Sequence, residues 1–301
     1  MPANKHPLIL DGALGTELMR RGIKLPLPLW SAEANITHQK DVISVHKDYV
    51  KAGADIITTN TFRSTTWTYK RAGFSNKRAR ERAKHSLMKA VESAYQSSPS
   101  IIAGSITSIE DCYQPSLFPG KSAAEDSIGE TLSWFNEAGV KTILFETMGH
   151  LEEIKIALRM AADYKTKWLS IILNNEKKLL SGHNLDSVYK FSKSEVDCLL
   201  MNCNSFEKTN ASLPNFLNEW KSDWGIYPNL GITEPEPDWG VKATCNATIV
   251  GESVDEVEMI SNGRAYTTEP VVTFSAPDVG INTATGTAKL IPTYYAVKSC
   301  T

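Results

Sequence analysis

The chain has 301 residues, 42% of them hydrophobic and 22% charged, which is a soluble globular composition and excludes wholesale disorder. Thirty-two Lys and Arg against 34 Asp and Glu leave a formal net charge of −2, so nothing points to nucleic acid or an anionic membrane. No apolar run approaches the roughly 20 residues that span a bilayer.

The apolar stretch ahead of Asp11 is too short for the core of a secretory signal. Five scattered cysteines (Cys112, Cys198, Cys203, Cys245 and Cys300) fit a reduced, cytoplasmic protein better than a disulfide framework. The length suits one large α/β domain or two small ones.

In chain order, residues 7–10 read as a strand ending at Asp11, followed by helices over 16–21 and 38–52. A strand is expected over 55–59, a helix over 76–94, a strand over 101–106 and a helix over 123–138. Then come a strand at 142–145, a helix at 151–162, a strand at 168–173 and a helix at 185–191. The last elements are a strand at 199–203, a helix at 206–220 and a strand at 225–228. These strands are continuous apolar runs, the pattern of a parallel sheet buried on both faces. Repeated βα units of this number predict a (β/α)8 TIM-type barrel. A doubly wound open sheet is the alternative, but neither a G-x-G-x-x-G nor a P-loop motif supports it.

The barrel reading covers residues 1–240 of a single domain spanning 1–301. Beyond Trp239 the character changes: no tryptophan follows, and residues 241–301 hold ten threonines. Helical periodicity is expected there only over 254–260, and 267–292 reads as loop or irregular β structure.

Barrel chemistry sits at the C-terminal ends of the strands. Here those ends carry Asp11-Gly12, Thr59-Asn60-Thr61, Gly104-Ser105, Glu110 to Tyr113, Glu146-Thr147, Asn202-Cys203 and Asn229. A polar group directly after a buried apolar run needs a partner or a task. The histidines form no H-E-x-x-H pair, and His38 and His46 read as a solvated helix face. The basic run through Lys77, Arg78, Arg80 and Arg82 reads as another solvated face. No G-x-S-x-G motif marks a hydrolase.

Five of these segments, namely 10–18 (LDGALGTEL), 54–62 (ADIITTNTF), Gly104-Ser105 with 110–115 (EDCYQP), 145–147 (FET) and 201–203 (MNC), carry a resemblance. In order and spacing they resemble the homocysteine S-methyltransferase family, zinc-dependent enzymes that methylate homocysteine. The likeness spans about residues 7–232 and implies a (β/α)8 barrel. It also implies that Asp11 and Glu146 bind the amino acid part of homocysteine, where carboxylates meet an ammonium in charge-assisted hydrogen bonds. Gly12 and Asn60 join them as substrate-binding positions. Trp30 is implied to line the pocket of a sulfonium methyl donor, which an aromatic face attracts. The resemblance implies S-methylmethionine or S-adenosylmethionine as the donor, with betaine less favoured, and methionine as the product.

Cys203 matches the family's first zinc ligand. Zinc with three protein ligands and one open position would hold the substrate thiol as its thiolate. Each residue also has a plainer reading: Asp11 as a turn cap, Glu146 in an ion pair, Trp30 as a packed aromatic, Cys203 as an inert strand cysteine. The family takes its other two zinc ligands from an adjacent cysteine pair, and this chain has no such pair. Aligning 247–251 with the last strand puts Glu252 and Ser253 at those positions; Cys245 and Cys300 are the other source. If neither completes the site, the chain is a catalytically silent amino-acid-binding barrel. Partners are small molecules only, and oligomeric state stays open.

Overall fold

The computed structural model describes residues 7–174, 177–229, 244–250, 253–261, 271–273 and 285–287. The chain divides into two compact units, one of residues 1–15, 25–234 and 295–301, the other of 16–24 and 235–294.

The first unit is built on a six-stranded parallel sheet: β1 (Ile56–Thr58), β2 (Ile101–Ile106), β3 (Thr142–Met148), β4 (Thr166–Ile171), β5 (Cys198–Ser205) and β6 (Asp223–Asn229). Strand order follows chain order without reversal. A doubly wound sheet requires a reversal at its switch point, so that alternative falls. The array is the curled half of a TIM-type barrel. The strand expected at 7–10 is reduced to a single parallel bridge, Leu10 to Ile56, with Asp11 N–H donating to the Ile56 carbonyl at 2.9 Å.

Burial on both faces explains the apolar runs. Ile143, Leu144 and Phe145 of β3 are all fully buried although they alternate sides. Helices pack on the sheet through small residues at helical spacing. In the helix Asn76–Tyr95, Ala79, Ala83, Leu87, Ala90, Val91 and Ala94 are buried, while Lys77, Arg78 and Arg80 face solvent. Gly104 on β2 lets the Phe135 ring lie against the strand, since a Cβ there would stand 3.0 Å from the ring. No described helix is long and apolar enough to cross a membrane.

Three expectations are corrected. Residues 254–260 are not a helix. Thr244–Val250 and Ser253–Ser261 form an antiparallel pair, with Ile249 opposite Val254, Ala247 opposite Val257 and Cys245 opposite Met259. A bulge skips Asp255, so valines three apart, which imitate helical periodicity, both pair with apolar partners. Within 267–292, Val271–Thr273 and Thr285–Thr287 pair antiparallel, in keeping with the reading of that stretch as loop or irregular β structure. A helix at Thr66–Arg71, absent from the sequence reading, is capped by Thr65, whose hydroxyl accepts from Thr68 N–H at 3.2 Å.

His46 is the third correction. It lies on the helix Gln39–Lys51, one turn after Val42 and beside Val45, on the buried face, whereas His38 precedes the helix and is exposed. Neither ring nitrogen of His46 has a hydrogen-bond partner. Burial pushes its imidazole down to about 4. An unfolded histidine titrates near 6.5, so as pH falls through about 6.5 toward 4 the unfolded chain takes up the proton first. The stability that the neutral ring contributes above that window, up to about 3 kcal/mol, is lost within it. Urea midpoints of the wild type should therefore fall more steeply from about pH 7 to pH 5 than those of His46→Leu; equal slopes would rule this out.

Candidate active site

Asp11 follows Leu10 at the edge of the sheet, where the β1 backbone meets it. Thr58 N–H donates to its Oδ2 at 3.0 Å and the Thr58 hydroxyl to its Oδ1 at 2.9 Å. Despite these bonds, burial holds the Asp11 carboxyl well above the usual range, and the charge of Glu146 adds to the shift. Glu146, on β3, accepts from the Ser105 hydroxyl and, at 3.4 Å, from the Tyr227 hydroxyl. Burial raises its carboxyl too. Among the described residues no ion pair reaches either carboxylate. Two desolvated carboxylates that lack a cation form an electrostatic socket for one.

Tyr227 of β6 closes this end of the sheet. Burial and the charges of Glu146 and Cys203 push its phenol well above the usual tyrosine value, so it stays neutral and donates. Neither Tyr227 nor Ser105 was singled out as a ligand-side residue from sequence. Ser105 stood in the strand-end set, but Tyr227 lies inside an expected strand, where an aromatic residue gives no distinguishing signal.

Glu146 and Cys203 occupy matching irregularities. The β3–β4 register shifts between Phe145 and Met148, and the β5–β6 register shifts between Asn202 and Ser205. Within these bulges Thr147 has φ of 57° and Cys203 has φ of 53°. Left-handed backbone costs a non-glycine residue on the order of 1–3 kcal/mol and persists only where its surroundings enforce it. Bulges of this kind re-aim side chains at the end of a strand. Glu146 is partly exposed between fully buried Phe145 and Thr147, and Cys203 is partly exposed after buried Asn202.

Asn60 and Trp30 are joined through Ser31. The Asn60 amide donates to the Ser31 carbonyl at 2.9 Å and to Asn35 Oδ1 at 2.8 Å, while its Oδ1 accepts from the Ser31 hydroxyl at 2.5 Å. This network fastens the segment that carries Trp30 to the end of β1. Trp30, at φ of 48°, lies against Gly15, where a Cβ would stand 2.7 Å from its indole Nε1. At Gly12 a Cβ would stand 2.8 Å from the Tyr49 ring, so glycine admits that ring over the turn. Tyr113, on the loop after β2, accepts from Asn229 Nδ2 at 3.4 Å, and Cys112 beside it is buried.

The donor set for a metal is thin. Cys203 Sγ lies 3.6 Å from the Thr147 hydroxyl and accepts from Asn202 Nδ2 at 3.3 Å. Among the described residues no three His, Cys, Asp or Glu side chains cluster as metal ligands. Cys198 opens β5, five residues before Cys203, which places it roughly 16 Å away along the strand. Zinc–thiolate bonds of about 2.3 Å cannot span that separation. Cys198 is inert besides, its thiol pushed up to about 12 by burial and by the charges of Asp223 and Asp197. The described residues thus do not fit a three-ligand zinc site. Glu252 and Ser253 straddle the edge of the described segments, and the side chains of Cys245 and Cys300 lie outside them.

A family model for homocysteine S-methyltransferase matches residues 8–266. The homocysteine S-methyltransferase of Escherichia coli K12 is 27% identical over 246 residues, covering 74% of this chain and 78% of that protein. The crystal structure of the E. coli homocysteine methyltransferase MmuM in its metallated form has a TM-score of 0.68 at 24% identity, over 75% of this chain and 85% of that one. Its oxidized form gives 0.67 at 25% identity, over 74% and 82%. With a match that begins just before Asp11 and runs past the last parallel strand, the chain belongs to the homocysteine S-methyltransferase family.

Proposed function

We propose that the chain is a homocysteine S-methyltransferase, transferring a methyl group from a sulfonium donor, S-methylmethionine or S-adenosylmethionine, to homocysteine to give methionine. The observation that carries this reading is the pair of desolvated carboxylates, Asp11 and Glu146, with no cation among the described residues. A substrate ammonium supplies that cation. Its binding returns both groups to their ionised form in charge-assisted hydrogen bonds. Ser105 and Tyr227 hold Glu146 toward it, and Thr58 holds Asp11. The substrate thiol then falls on the Cys203 side of the cleft, and Trp30 offers an aromatic face for the donor sulfonium. The protein works as a single homocysteine-binding barrel domain in the cytoplasm.

Zinc activation of the thiol is the family's chemistry, and Cys203 would be its anchor here. Its co-ligands would come from Cys245, Cys300 or Glu252. The missing adjacent cysteine pair favours a second reading, an amino-acid-binding barrel that has lost zinc and is catalytically silent. Purified protein incubated with homocysteine and each donor, with and without added zinc, separates the two. Methionine formation and about one zinc per chain, both lost in Cys203→Ser, support the first reading. Homocysteine binding without bound metal or methionine supports the second, and no homocysteine binding at all overturns both.

Glu146→Gln tests the socket directly. Replacing one charge-assisted partner should weaken homocysteine binding roughly 10- to 100-fold in a calorimetric titration. The empty protein should respond in the opposite direction. A carboxyl whose folded-state pKa is raised costs stability as pH climbs above the unfolded value of about 4.3. Glu146→Gln should therefore gain stability relative to wild type between acidic and neutral pH. A variant that binds normally, or whose relative stability is unchanged by pH, would remove Glu146 from this role.

A further inference from the structure

An asparagine side chain has four hydrogen-bonding positions, two acceptor lone pairs and two donor hydrogens. Asn202, 1% exposed, uses all four. Its Oδ1 accepts from Thr147 N–H at 3.1 Å and from the Ser170 hydroxyl at 2.7 Å. Its Nδ2 donates to the Thr147 hydroxyl at 2.8 Å and to Cys203 Sγ at 3.3 Å. A side chain with no bonding position left has none to offer a substrate. Its partners nonetheless lie on three adjacent strands, and two of them, Thr147 and Cys203, hold left-handed backbone that their residue types disfavour. Asn204 steadies the arrangement by donating to the Asn202 carbonyl at 2.9 Å while accepting from Leu173 N–H at 2.8 Å.

We propose that Asn202 is the positioning residue of this site: one amide pins the bulges of both β3 and β5 and thereby aims Glu146 and the Cys203 thiol into the same cleft. Ser170 sets the amide from the intervening strand. Asn202 acts through Thr147 and Cys203 and does not touch the substrate. This deepens the proposed function, because it takes Glu146 and Cys203 as substrate-facing. The pinning itself is a property of the empty protein.

The full chain, labelled with 13C on cysteine only, reports the pin without substrate. The Cys203 line is assigned by its loss in Cys203→Ser. In Asn202→Ala that line should leave its left-handed position while those of Cys112 and Cys198 stay. Asn202→Asp, which keeps the shape and both acceptor bonds but cannot donate, should move it too and serves if the alanine variant does not fold. An unmoved Cys203 line in either variant overturns the proposal.

Homocysteine titration supplies the second arm. Asn202→Ala, or Asn202→Asp in its place, should weaken binding about tenfold, the equivalent of about one hydrogen bond to a charged group. Adding Thr147→Gly should restore most of it, since glycine adopts left-handed backbone without a pin. A moved line with no rescue by glycine would confine Asn202 to β5 and overturn the two-strand claim. Failure of the wild type to bind homocysteine would sink the proposed function, while the Cys203 line would still decide the role of Asn202.

Discussion

A desolvated carboxylate without a counter-charge is among the more costly features a folded chain can carry, and this site holds two that sense one another, buried Asp11 and part-buried Glu146. Each keeps some compensation: Thr58 for Asp11, Ser105 and Tyr227 for Glu146. All of these are neutral donors. Hydroxyls and an N–H soften desolvation without cancelling charge, and both carboxyls remain raised. The empty site is therefore held in a state that a small cation improves. An amino acid ammonium meets that requirement, whereas an anionic or neutral ligand leaves the cost in place. The charge pattern selects its ligand before any shape is considered.

Keeping such a site intact needs a scaffold that cannot relax around it. The parallel sheet provides one because strands such as β3 are buried on both faces and the helix Asn76–Tyr95 packs through residues such as Ala83 and Ala90, fully buried with no side-chain freedom to lose. At the ends of β3 and β5 the ladder gives way to bulges, and hydrogen bonds between side chains take over from those between backbones. Left-handed Thr147 and Cys203 show what that exchange costs, and the saturated Asn202 amide shows what offsets it. Both distortions lie at the strand ends that carry the candidate site.

How far the sequence reaches follows from the same physics. Residues 101–106 are legible to the residue as a strand, because a short, mostly apolar run between polar turns permits little else. Asp11, Glu146 and Cys203 stand out in the sequence as candidates because each is polar where such a run ends. Other features depend on what another strand brings alongside. Tyr227 becomes a donor to Glu146 only once β6 and β3 reach the same end of the sheet. Nothing in the local sequence of Thr147, a β-branched residue, announces φ of 57°. His46 read as solvated because its polarity outweighed its helical phase. The residues of 254–260 imitated a helix because a single bulge changes a period of two into an apparent period of three.

Substrate capture and thiol activation are separable in this chain. On the proposed function, capture rests on Asp11 beside β1 and on the ends of β2, β3 and β6. Activation by a metal would rest on Cys203 together with ligands from beyond β6, since Cys198 is at the far end of the same strand and no described trio of donors surrounds Cys203. In a protein whose thiol site had decayed, the raised carboxyls would remain, because they arise from burial and from each other and not from any metal. The two readings therefore share one electrostatic signature and differ in the chemistry at a single sulfur. That sulfur accepts from Asn202, an amide whose other three bonds go to Thr147 and Ser170. On the proposed role of Asn202, the fold sets the thiol in place and any metal would join a ligand already aimed.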